Sequence, residues 1–186
     1  GPFLNIYNEA TARFFIRRGA RAICPPVELS LATIGAIAMA CPDAAFEVFA
    51  FGRLPLALSG RCYHARLHGL HKDSCQFTCE QDADGLVVET LDEQAFLAMN
   101  GVQTLSAQVQ AVLSPPAELT TRAIARLRLS PQTCDMVVVT QIYRALASGE
   151  IAPQEALVRL GGLELPGTLV DGYARGAAGV LAAASA

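Results

Sequence analysis

Cys62, Cys75 and Cys79 stand within eighteen residues of one another, in the run Arg61-Cys62-Tyr63-x-Ala65-Arg66 … Lys72-Asp73-x-Cys75-x-x-x-Cys79. Thiolates are soft ligands, and three so close together point to a metal or iron–sulfur site. A cubane cluster takes four thiolates, and a closed zinc site takes four ligands. This run supplies three cysteines. His64, His68 and His71 lie between the first two of them, and a Cys₃His zinc site needs only one. Spacing alone therefore leaves iron–sulfur and zinc both open. Arg61, Arg66 and Lys72 share the run and would offset the charge of an anionic thiolate site.

The other cysteines read differently. Cys24, Cys41 and Cys134 each sit alone in an apolar stretch, where a thiol behaves as a small buried hydrophobe. Six cysteines distributed this way do not make a secreted disulfide framework, which points to a reducing cytoplasm. The first residues lack the basic and apolar regions of a signal peptide. The Gly1-Pro2 start fits either a protease scar or a piece of a longer chain.

The thiols need elements to position them, and strand-like and helical runs alternate along the chain. Phe3–Ile6 is a short apolar opening. Glu9–Arg18 reads as a helix ending at Gly19, and Ala20–Cys24 as a short strand before Pro25-Pro26. Ser30 is placed to cap a helix over Leu31–Cys41. Ala45–Phe51 reads as a strand with Phe46, Val48 and Ala50 on one face and Glu47, Phe49 and Phe51 on the other. From Gly52 to Gly85 no periodicity holds, and the segment reads as a long loop carrying the site. Within it, Cys75 and Cys79 are i, i+4 and would share a face if that piece is helical.

Further on, Gly85–Glu89 and Ala95–Met99 read as strand-like, with a turn at Asn100-Gly101. Ser106–Leu113 reads as helix, stopped by Ser114-Pro115-Pro116. Ile124–Leu129 is a strand, Thr133–Ser148 a helix, and Pro153–Leu160 another short one. Strand–helix alternation with short connections predicts α/β architecture with a parallel sheet. Four or five such units amount to half of a (β/α)₈ barrel, whose chemistry sits on loops at the C-terminal strand ends. The expected organisation is therefore a half-barrel domain over 1–175, with its cysteine loop at 52–85, and an Ala-rich tail over 176–186 forming a short terminal helix.

Hydrophobic residues make up 52% of the chain and charged residues 17%, enough for a sizeable core. A formal net charge of −3 gives no basic stripe for nucleic acid. No apolar run reaches the roughly 20 residues that span a bilayer.

The run Glu47-Val48-Phe49-Ala50-Phe51-Gly52-Arg53-Leu54-Pro55-Leu56-Ala57-x-Ser59-x-Arg61-Cys62 resembles the signature of the U32 peptidase-like family. Within it the likeness is to the UbiV-like group, which acts in oxygen-independent ubiquinone biosynthesis. Supporting segments are Cys24-x-Pro26-Val27-Glu28-Leu29-Ser30, Lys72-Asp73-x-Cys75-x-x-x-Cys79, Leu97-x-x-Asn100-Gly101-Val102-Gln103-Thr104-Leu105-Ser106, Arg128-Leu129-Ser130-Pro131-Gln132 and Gly172-Tyr173. The resemblance implies a TIM-barrel-like fold, of which this chain is the C-terminal half, and a [4Fe–4S] cluster. Cys62, Cys75 and Cys79 match three of its four cysteine ligands. The fourth belongs to a part of the family's pattern that precedes Gly1.

The resemblance further implies a heterodimer with a UbiU-like U32 protein. Together the two would hydroxylate a ubiquinone precursor without O₂, with prephenate as the oxygen source. Glu47 and Arg61 recur in the broader signature, as second-shell or substrate residues. An ion pair of Glu47 with Arg61 or Arg53 is the alternative role. Competing functions are a U32-type, collagenase-like hydrolase and a zinc-stabilised interaction module. The sequence has neither a His-Glu-x-x-His helix nor a Gly-x-Ser-x-Gly elbow.

Overall fold

The computed structural model describes residues 1–180. Its helices are α1 (Glu9–Ile16), α2 (Leu31–Ala40), α3 (Tyr63–Leu67), α4 (Pro116–Thr121), α5 (Met136–Ser148) and α6 (Pro153–Gly161). Its strands are β1 (Ala22–Ile23), β2 (Ala45–Leu58), β3 (Leu86–Glu89), β4 (Ala95–Asn100), β5 (Gln103–Ala111), β6 (Ile124–Leu129) and β7 (Leu169–Val170). Side-chain caps set the main helix starts. Asn8 accepts from the Thr11 amide, Ser30 from Thr33, and Asp135 from Val137 and Val138.

The seven strands form one open, mixed sheet around β2. Phe46 pairs with Ile23 of β1 on one edge and with Ile124 of β6 on the other, both parallel. Further along, Phe51 pairs with Ala111 of β5, antiparallel, while its other edge still meets β6 at Leu129. β2 thus begins in a parallel sheet and ends in an antiparallel one. From β5 the sheet continues antiparallel through β4 to β3, and β7 runs parallel to β5. The sheet does not close into a barrel, and the all-parallel expectation is corrected by the hairpins β3–β4–β5.

Three other expectations are corrected. The strand beginning at Ala45 does not stop at Phe51 but runs to Leu58, so the loop is shorter than 52–85. Gly52 makes this continuation feasible: its φ is +117°, and a Cβ there would lie 2.8 Å from the Ser130 Cβ. Ser106–Leu113 is not helical, since β5 covers Gln103–Ala111. The two-face assignment over Ala45–Phe51 also fails in part. Phe51 joins Val48 and Ala50 in the main core because the register with β6 slips between Phe49 and Phe51. The expected terminal helix falls largely on 181–186, outside the described residues, and Gly176–Val180 are not helical.

The main core lies between β2, β5 and the helices α2, α5 and α6, with Phe51, Leu146 and Leu160 fully buried. Tyr143 reaches into it, donates its hydroxyl to the Ala50 carbonyl at 2.9 Å, and meets Phe51 edge-on. Burial pushes its phenol far above the usual tyrosine range, so it stays neutral there. A second cluster packs α1 and α2 over Phe46. Among the described residues no helix is long and apolar enough to cross a membrane.

Candidate functional site

The cysteine segment connects β2 to β3 and leaves from the C-terminal end of β2. Cys62 is buried and caps α3, its sulfur accepting from the Ala65 amide at 3.4 Å. Cys75 and Cys79 are half-buried. The helical spacing expected for them is corrected. Cys75 ends one 3₁₀ turn, Cys79 lies within the next, and between them Gln76 and Phe77 both adopt left-handed backbone, at φ 53° and 54°. Neither is glycine, and each such residue costs about 1–2 kcal/mol. A right-handed residue followed by a left-handed one turns successive amides toward a common concavity, a geometry suited to anions and found at iron–sulfur sites.

The turn between β4 and β5 organises the rest. Gly101, at φ +60°, accepts from the Tyr63 amide through its carbonyl at 3.2 Å and donates its own amide to His64 Nδ1 at 3.1 Å. The other ring nitrogen, Nε2, lies 3.1 Å from Asp82 Oδ2. A side chain added at Gly101 would meet the Cys79 sulfur at 3.8 Å. The neighbouring Asn100 donates to the Ala83 carbonyl. The segments of Cys62 and Cys79 therefore converge on one glycine. The three thiols do not close into a ligand set: among the described residues, no three His, Cys, Asp or Glu side chains are grouped to hold a metal ion.

Two features test whether a thiolate-bound group suits this loop, and both favour it. The Thr78 hydroxyl, one residue before Cys79, is buried without a hydrogen-bond partner. An acceptor such as a thiolate or sulfide alongside would satisfy it. A depression of about 450 Å³ is also lined by Cys62, Arg61, Arg66, His71 and Lys72, with no carboxylate among its lining residues. The three cations expected to offset an anionic site thus surround one of the thiols. His68 and His71 are exposed.

Glu47 lies elsewhere. It pairs with Arg128 at 2.8 Å and Arg126 at 3.6 Å on β6, which corrects the expected ion pair with Arg61 or Arg53. Arg61 is exposed on the cysteine loop, and its amide donates to Ser59 Oγ. Cys24 is buried near Arg128 and Glu47; burial pushes its thiol up, against the pull of the Arg128 guanidinium. Cys41 is buried too, and Cys134, half-buried, sits against Met136. None of the three joins the cysteine loop, as their solitary apolar settings indicated.

Sequence reasoning missed Asp82 and Thr78, and it named His64 only as a possible zinc ligand and Arg53 only as a possible partner of Glu47. Of these, Arg53 carried a readable signal, as one of two charges in an otherwise apolar strand. It is 3% exposed and donates to the carbonyls of Ser106, Ala107 and Pro166. It also lines a cleft of about 370 Å³ with Asp84, Arg128 and Gln132, beside the middle of β2 and the C-terminal end of β6.

The model of peptidase family U32 matches residues 2–152, most of the chain. The protein belongs to this family. The matched region takes in the cysteine loop and the parallel strands β1, β2 and β6 of this U32 protein. No solved structure matches the chain.

Proposed function

We propose that this U32 protein is a UbiV-like iron–sulfur subunit of an oxygen-independent hydroxylation system for a ubiquinone precursor. Its partner would be a UbiU-like U32 protein and its oxygen donor prephenate. The observation that carries this reading is the β2–β3 loop, which carries three thiols and sets three cations with one of them, Cys62, around a depression lined by no carboxylate. An anionic cluster suits that setting. Cys62, Cys75 and Cys79 would hold a [4Fe–4S] cluster, with the fourth ligand supplied from outside this chain. When bound, such a group supplies one-electron redox chemistry. The residues of this chain orient the loop, through Gly101, and provide compensating charge, through Arg61, Arg66 and Lys72. In this reading β1, β2 and β6 are the parallel part of a half-barrel, and assembly takes place in a reducing cytoplasm.

The family's description favours a second reading, peptide hydrolysis. The one histidine–carboxylate pair among the described residues is His64–Asp82. Its ring is 1% exposed and both nitrogens are engaged, so none remains to take a proton from a nucleophile or water. A zinc-stabilised module would have to use exposed His68 or His71 instead of His64. Elemental analysis of the anaerobically reconstituted full-length protein separates these readings. Iron with acid-labile sulfide is expected; zinc without sulfide, or no metal with peptidase activity, would reject the iron–sulfur assignment.

A further inference from the structure

We infer that His64 is a positioning residue, locked as one tautomer, that clamps the Cys62 and Cys79 segments to each other and to the turn at Gly101. A backbone amide can only donate, so the bond from Gly101 leaves Nδ1 without a proton. Nε2 then carries the hydrogen and donates it to Asp82. Its contact with Asp82 is a hydrogen bond through Nε2 at 3.1 Å. It is also unavailable as a metal ligand, because each nitrogen already has a partner.

The two partners are what give the residue its role. His64 is on α3, two residues after Cys62. Asp82 is three residues after Cys79 and directly ends the 3₁₀ turn that holds it. Gly101 bonds to the first of these segments through both its amide and its carbonyl, and a Cβ added to it would reach the Cys79 sulfur at 3.8 Å. A single buried ring therefore bridges both thiol-bearing segments and the turn at their centre. Without it, the Tyr63–Gly101 and Asn100–Ala83 bonds still tie the two segments to the turn, but the direct side-chain hydrogen bond between them is lost, and gathering the thiols around a ligand costs more ordering entropy at the moment of binding.

The purpose assigned to the clamp rests on the thiol-site reading, whereas the clamp itself does not. Two substitutions dissect it. His64→Asn keeps a short acceptor for the Gly101 amide and loses Asp82, while His64→Gln keeps a longer donor for Asp82 and loses Gly101. In the reduced, metal-free chain, nitrogen NMR of His64 is expected to show a proton on Nε2 and none on Nδ1. Hydrogen exchange at the Gly101 amide should be slow in wild type and His64→Asn, and fast in His64→Gln and His64→Ala. A proton on Nδ1, or equal Gly101 protection in all four proteins, would overturn the clamp.

Cobalt(II) added alone then tests its purpose through thiolate charge-transfer absorption. His64→Ala should weaken cobalt binding about 10–100-fold, the range for groups that orient metal ligands. His64→Asn and His64→Gln should each recover part of that loss. Wild-type affinity in all three variants would overturn the positioning role. No thiolate absorption in wild type would instead reject the thiol-site reading, with the clamp still decided by exchange and NMR.

Discussion

Arg53→Ala is expected to destabilise the chain by about 3–4 kcal/mol, measured by urea unfolding, because it strips a charged donor from several buried carbonyls at once. The guanidinium bonds Ser106 and Ala107 on β5 and Pro166 just before β7. One side chain of β2 therefore holds the antiparallel half of the sheet and the segment that returns to it. Burial pulls the group down from the usual arginine range, while Asp84 opposes that pull, and it remains a cation. Arg53→Met restores most of the volume but no donor, so it should recover little. Arg53→Lys keeps the charge without the planar fork and should fall between wild type and Ala. Equal stability of Arg53→Met and wild type would show that the carbonyls do not need the guanidinium.

The second large effect is loss of iron on replacing the loop cysteines. Cys62 has two roles, thiol and helix cap, and the choice of substitution separates them. Cys62→Ala removes the cap on α3 and costs about 1 kcal/mol in addition to the ligand. Cys62→Ser keeps a good capping oxygen for the Ala65 amide while removing the sulfur. The full-length Cys62→Ser, Cys75→Ser and Cys79→Ser proteins should stay folded and retain roughly a tenth or less of the wild-type iron after reconstitution. Cys24→Ser, Cys41→Ser and Cys134→Ser serve as controls and should keep it. Full iron content in Cys62→Ser would remove that residue from the site.

Local chemistry made much of the fold legible. Ser30, Gly19 and Asn100-Gly101 each marked a boundary that the structure keeps, because capping and left-handed turns depend on a few adjacent residues. Ser106–Leu113 misled through its helix-compatible Ala and Gln. Its polar–apolar alternation was the better signal, with Ala107, Val109 and Ala111 all buried along β5. Gly52 and Pro55 looked like the start of a loop. Instead, both lie inside β2: Gly52 takes a positive φ hard against Ser130, and the register with β5 shifts on either side of Pro55.

The site was legible as a set of thiols but not as a geometry. The i, i+4 spacing of Cys75 and Cys79 suggested a helical face, which left-handed Gln76 and Phe77 abolish. His64 and Asp82 are eighteen positions apart, and Gly101 lies further still, so no local pattern announced their meeting. Only the return of β4 and β5 beside the cysteine loop brings them together. Arg53 was visible as a charge in an apolar run, but its three carbonyl partners belong to distant segments.

An iron–sulfur cluster held by the β2–β3 loop, as proposed, has a spectroscopic signature of its own. Mössbauer spectroscopy of the ⁵⁷Fe-reconstituted full-length protein, prepared anaerobically, tests it most directly. Sulfur-ligated iron in a four-iron cluster is expected, diminished in the Cys62→Ser protein. Mononuclear iron, or a spectrum indifferent to Cys62, Cys75 and Cys79, would contradict it.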